Sequence, residues 1–151
     1  MNYYSYDYDN FIIESNKIEG IVRAPTKSEA KEFERFMELP IVTLNDLIRF
    51  VGIYQPGTKI RNKVGLNVRV GNHLPPAGGM EVQFALEYLL ATLTSRTPYE
   101  NHIRYETLHP FTDGNGRSGR MLWAWQFRDL SLGFLHRFYY QALDSKGKER
   151  S

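Results

Sequence analysis

The residues best equipped for chemistry sit together in HPFTDGNGRSGR, from His109 to Arg120. His109 is the one base in this stretch whose unperturbed pKa lies close to neutral. Asp113 is a carboxylate and Asn115 an amide donor, while Gly114 and Gly116 let the backbone turn tightly and expose its N–H groups. Arg117 and Arg120 follow three residues apart, on neighbouring turns of one face of a helix that begins here. N–H groups at a helix start, with the positive end of the dipole behind them, form an anion cradle, and arginines beside it add bidentate contacts to phosphates. With phosphates in place, Asp113 is better explained as a ligand for Mg2+ than as an ion-pair partner. A polyphosphate site, a metal ligand and a general base are the parts of phosphoryl or nucleotidyl transfer to a hydroxyl. Taken singly, a Gly-Asn-Gly turn, a histidine before proline and two arginines on a helix are ordinary structure. Their occurrence together, in a mechanically sensible order, favours chemistry.

Helices must flank such a stretch, and the periodicity supplies them. Residues 28–38 carry Phe33, Phe36 and Met37 at helical spacing, opened by Thr26 or Ser28 and stopped before Pro40. Thr43 is the N-cap candidate for a helix whose stripe is Leu44, Leu47, Ile48 and Val51. Residues 79–96 are apolar nearly all round, with Leu86, Leu89, Leu90 and Leu93 on one face and Phe84, Tyr88 and Ala91 on much of the rest. That pattern predicts the central, buried helix. Pro98 suits the first turn of the next helix, which runs to His109. A further helix is expected over roughly 117–130 and a last one over 132–143, with 146–151 a frayed tail. Between Tyr54 and Gly79 the pattern breaks, and a β-prone segment from Leu66 to Val70 lies between glycines, which reads as a hairpin or extended flap. The expected fold is all-α with one small β-hairpin, a single domain over residues 1–151.

Composition fits this. A chain of 151 residues with 42% hydrophobic and 24% charged residues is an ordinary globular domain, burying about two-thirds of its unfolded surface. A net charge of +2 gives no reason to expect nucleic acid, and no apolar run reaches the ~18 residues of a membrane helix. Cysteine is absent, which rules out disulfides, a thiolate zinc site and a cysteine nucleophile. The polar, tyrosine-rich start is not a signal peptide, so the expectation is a cytoplasmic protein.

HPFTDGNGRSGR matches, at every defined position, the pattern His-Pro-Phe-any-Asp/Glu-Gly-Asn-Gly-Arg-any-any-Arg, and in this it resembles the Fic domain family. The helix order and the flap ahead of the motif are similar to a minimal Fic core. The resemblance implies a protein adenylyltransferase, moving AMP from ATP to a Ser, Thr or Tyr hydroxyl of a target protein. It implies that His109 deprotonates that hydroxyl and that Asp113 holds Mg2+ or Mn2+. Gly114, Asn115 and Gly116 would cradle the phosphates, Asn115 at the α-phosphate. Arg117 would meet the β-phosphate and Arg120 the γ-phosphate, while Phe111 packs inward to anchor the loop. Doc relatives, which phosphorylate, carry a lysine where this chain has Gly116, so AMP transfer is implied here. The flap, residues 65–78, would dock the target by strand addition, and the protein itself is among the candidate targets. His102 reads as a packed structural histidine, and His73 receives no role.

A second signal lies in ESNKIEG. Phe11, Ile12, Ser15 and Glu19 suit a short helix over about 11–20, ended by Gly20. Glu19 then sits at the negative end of the helix dipole, an unfavourable place for an acid that a distant arginine would relieve. The stretch also resembles the Fic inhibitory pattern Ser/Thr-any-any-any-Glu-Gly/Asn. That resemblance implies that Glu19, with Ser15 one turn earlier, engages Arg120 and holds the γ-phosphate out of place. Two other readings remain open in the sequence: the same site removing AMP from modified proteins, and a non-catalytic adaptor that binds nucleotide or a partner.

Overall fold

The computed structural model describes residues 5–128. Its elements, in chain order, are α1 (Ser5–Ile18), α2 (Lys27–Met37), α3 (Leu44–Tyr54), α4 (Met80–Ala91), a short 3-10 turn (Leu93–Ser95), α5 (Pro98–Leu108) and α6 (Asn115–Phe127). The fold is all-α, as expected. The helix expected over 132–143 and the tail lie outside the described residues. Among the described residues, no helix is long and apolar enough to cross a membrane.

Local sequence sets the helix starts. Thr26, Thr43 and Thr97 each cap a helix, and each forms a reciprocal capping box with the acid three residues on, Glu29, Asp46 and Glu100. Pro98 occupies the first turn of α5, where its missing N–H costs nothing. On α2, Phe33, Phe36 and Met37 face inward as expected, and Phe33 meets Phe11 of α1 at 5.4 Å between ring centroids.

Two expectations need correcting. On α3 the buried seam is Leu47, Phe50, Val51 and Tyr54, while Ile48 stays 41% exposed. Phe50 stacks on Tyr54 at 4.3 Å and meets Phe36 edge-on at 5.5 Å, so aromatic area decides which face turns in. Nor is α4 the central helix: it buries only Val82, Leu86 and Leu89 and leaves Phe84 60% and Tyr88 63% exposed. The centre belongs to α6, the helix with two arginines, buried continuously from Arg117 to Ala124. Its polar groups can lie inside because partners meet them. Ser118 Oγ lies 2.6 Å from Tyr105 Oη of α5, for example. Gly119 permits the close contact, since a Cβ there would stand 3.1 Å from the Tyr105 ring.

The segment between α3 and α4 is not a regular hairpin. No strand forms among the described residues. The segment holds one isolated antiparallel bridge, Val70 with His73, closing a tight turn over Gly71 and Asn72. Residues 66–69 carry no regular structure. A second bridge, Ile60 with Phe111, ties the base of this loop to the stretch that follows His109.

Candidate active site

His109 closes α5 in the left-handed conformation (φ 49°, ψ 63°), its N–H donating to Tyr105 O at 2.9 Å. Burial pushes its imidazole pKa below the usual value. The positive Arg61 pushes the same way, against the carbonyl of Glu106, 3.4 Å from Nδ1, and the negative Glu19. The result is a neutral imidazole near pH 7, able to accept a proton.

Pro110 ends the helix, and Phe111, 1% exposed, anchors the loop in the core as expected. Asn115 turns out to hold the loop's shape. Its Oδ1 accepts from Phe111 N–H and its Nδ2 donates to Phe111 O, both at 2.8 Å, and the residue is 2% exposed. Both ends of the amide bond the loop backbone, so Asn115 fixes the loop's shape, and Nδ2 keeps a second N–H beyond these two bonds.

Gly114 begins α6 with a positive φ of 79° that glycine adopts without strain. It supplies no capping side chain, so the first N–H groups of the buried α6 have no capping acceptor from that residue. Asp113 is exposed beside them, one oxygen accepting Gly114 N–H at 2.8 Å. Among the described residues no three acidic or histidine side chains gather. A lone exposed carboxylate fits Mg2+, which keeps waters and takes further oxygens from the phosphates of a nucleotide.

Both arginines of the motif turn toward α1. Arg120, fully buried, donates through Nε to Ser15 Oγ at 2.7 Å, and through Nη2 to Ser15 O at 3.0 Å and Glu19 Oε2 at 2.5 Å. Arg117, 4% exposed, donates to Gln55 Oε1 at 2.5 Å and to Asn16 Oδ1 at 3.5 Å, and its guanidinium lies 5.8 Å from the Tyr54 ring centroid. Burial lowers the pKa of Arg117.

Glu19 reaches Arg120 because of how α1 ends. Ile21 N–H donates to Asn16 O at 3.0 Å and Gly20 N–H to Lys17 O at 2.9 Å, a double closure with Gly20 left-handed at φ 79°. The acid thus sits where the helix's own dipole disfavours it, and Arg120 supplies the compensating charge. Its carboxylate lies over the first turn of α6: a Cβ on Gly116 would stand 2.7 Å from Glu19 Oε2. An acid of α1 therefore stands against the N-terminal turn that would receive an anion.

The structure brings together Ser15, Glu19, Gly114, Gly116, Arg117 and Arg120 at the junction of α1 and α6, with His109 and Asp113 on the loop leading in. His102 is packed as expected, 7% exposed and edge-on to Trp123 at 5.9 Å. His73 pins the loop tip to α5 through Thr107 O at 3.0 Å. Sequence reasoning missed Asn16, Gln55 and Arg61. The first stands in an unrestricted position of the SNKIEG pattern, the second follows α3 without a motif, and the third lies between lysines in an irregular loop.

The described residues form an all-α domain with a histidine-capped helix, a glycine-started buried helix and two arginines on its face. The chain belongs to the Fic/DOC family, whose model matches residues 41–127, the span of α3 to α6 and the motif loop. Members of this family are typically transferases that act on proteins, using a nucleotide and a divalent metal. The contacts of α1 with α6 fall partly outside the matched span, since Ser15 and Glu19 precede it. No curated protein and no solved structure matches the chain.

Proposed function

We propose that this chain is a protein adenylyltransferase held in check by its own α1, transferring AMP from Mg-ATP to a Ser, Thr or Tyr hydroxyl of a target protein. His109 takes the proton from the hydroxyl. The oxygen attacks the α-phosphorus, the bond to the α–β bridging oxygen breaks, and pyrophosphate leaves. The first turn of α6, from Gly114 to Gly116, with Arg117 and Arg120, binds the triphosphate. Asp113 holds Mg2+, which neutralises charge on the phosphates. Gly116, rather than a lysine, favours AMP as the transferred group. The 66–69 segment of the loop between α3 and α4, which carries no regular structure, is the docking edge for the target.

One observation carries the regulatory part: Glu19 Oε2 lies 2.5 Å from Arg120 Nη2 and against Gly116, so an acid stands where the γ-phosphate needs a cation. The test is labelling of lysate and of the protein itself with α-labelled ATP, with GTP, CTP and UTP in parallel, comparing wild type with Glu19→Gly. Strong labelling by the variant alone supports the reading. Loss of AMP from a pre-modified target, with no labelling by either protein, points instead to the reverse reaction.

A further inference from the structure

Arg61 is fully buried and faces no carboxylate among its hydrogen-bond partners. Burial lowers its pKa, and four backbone carbonyls receive its fork. Nε donates to His109 O at 2.7 Å and Nη2 to Leu108 O at 2.9 Å. Nη1 donates to Leu66 O at 3.1 Å and Pro76 O at 2.8 Å. The first two acceptors end α5, where carbonyls lack intrahelical partners and the dipole is negative. The other two belong to the outgoing and returning legs of the loop between α3 and α4. The backbone of Arg61 joins the same knot: its N–H donates to Pro110 O at 2.9 Å and its O accepts from Gly79 N–H at 3.0 Å.

A fixed planar fork suits such a node, because no other side chain offers five donors in one rigid plane. A cleft of about 410 Å3 has Ile60, Asn62, Leu66 and Phe111 among its lining residues, the first two being the chain neighbours of Arg61. The guanidinium holds the backbone of one lining residue, Leu66.

We propose that Arg61 is a positioning residue of the transfer reaction: one buried guanidinium that fixes the backbone of His109 against both legs of the 65–78 loop, and so sets the base relative to the segment that presents the acceptor hydroxyl. This rests on the transferase reading. The same cation also helps keep the imidazole neutral. Of the groups facing His109, the Arg61 cation and a protonated His73 would disfavour its protonation, while Glu19 favours it.

The experiment uses Arg61→Lys and Arg61→Gln, each in the Glu19→Gly background for kinetics and alone for NMR titration of His109 without nucleotide. In both kinetic variants kcat for transfer should fall by ~10²-fold, the cost of misplacing reacting groups by about an ångström. ATP affinity should stay within about twofold, since neither residue 61 nor its four acceptors bind phosphate. Arg61→Gln should move the His109 titration upward, whereas Arg61→Lys should leave it nearer wild type. Parental kcat in Arg61→Lys, or ATP affinity lost in step with kcat, overturns the proposal. So does failure of both variants to fold, which makes Arg61 a folding residue only. If Glu19→Gly itself transfers nothing, the transferase reading fails, while the titration still reports whether Arg61 acts on His109.

Discussion

Glu19 and Arg120 stand 101 residues apart in the chain and 2.5 Å apart in space, and Ser15 contributes two further acceptors to the same guanidinium. The pair is asymmetric. The Arg120 side chain is wholly buried while Glu19 keeps 36% of its side chain exposed. Moving the acid alone removes the charged partner of Arg120 and leaves its two hydrogen bonds to Ser15 in place.

Glu19→Gly should therefore label itself or lysate proteins about 10²-fold more strongly than wild type, because ATP then meets Arg120 and presents its α-phosphate in line. The variant should be less stable without nucleotide by about 1–3 kcal/mol, the usual worth of a hydrogen bond to a charged group. Adding Arg120→Ala should abolish the gain. Equal labelling by wild type and Glu19→Gly at saturating ATP would show α1 to be merely structural.

Replacing His109 by alanine in the activated background should reduce transfer ~100-fold or more and leave ATP binding intact, since a general base contributes 10²–10⁴. Isothermal titration and single-turnover labelling separate the two quantities. Near-normal transfer would remove His109 from the chemistry.

The pH profile follows from the sign of the histidine shift. Burial and the neighbouring Arg61 cation lower the His109 pKa from about 6.5, so the base form persists further into acid. Transfer by Glu19→Gly should be flat around pH 7 and fall only below the ordinary imidazole range, its acid limb midpoint under 6.5. A midpoint above that value would contradict the electrostatics of the site.

Activity should vanish with a chelator and return with Mg2+ or Mn2+, and Asp113→Ala should weaken that return. Because Asp113 is exposed and accepts only from the neighbouring Gly114 N–H, its loss should scarcely change the thermal midpoint. Metal-independent transfer would take the role away from Asp113.

Asn115→Ala should behave differently from the other site variants. It removes two 2.8 Å hydrogen bonds inside the loop and leaves the Phe111 N–H and O buried without them. A loss of about 1–3 kcal/mol, measured by thermal or urea unfolding, is expected even without nucleotide. An unchanged midpoint with lost activity would show that Asn115 serves the phosphates and not the loop's stability.

Much of this was readable from sequence because it is local. Thr26, Thr43 and Pro98 mark helix starts through their own backbone chemistry, and Gly20 ends α1 through its own φ. The misplaced acid at residue 19 was legible for the same reason. What stayed hidden depends on which face meets which neighbour. α4 is the more apolar helix, yet α6 is the central one, because Ser118, Arg117 and Arg120 find partners on α1, α3 and α5 that lie far away in sequence. The expected hairpin fails likewise: glycines and β-formers mark a turn at Gly71, but one bridge pair is all that closes there. Arg61 gave no sign of burial, since its four acceptors are carbonyls, which every residue has.

The position of Glu19 ahead of Arg120 has a consequence during synthesis. A ribosome adding about 5–20 residues per second completes α1 several seconds before it completes α6. When Arg120 leaves the exit tunnel, Ser15 and Glu19 are already available to receive it. On the proposed function the helix that binds phosphate is thus made after the acid that restrains it, and no stage of translation holds that site without Glu19 already synthesised.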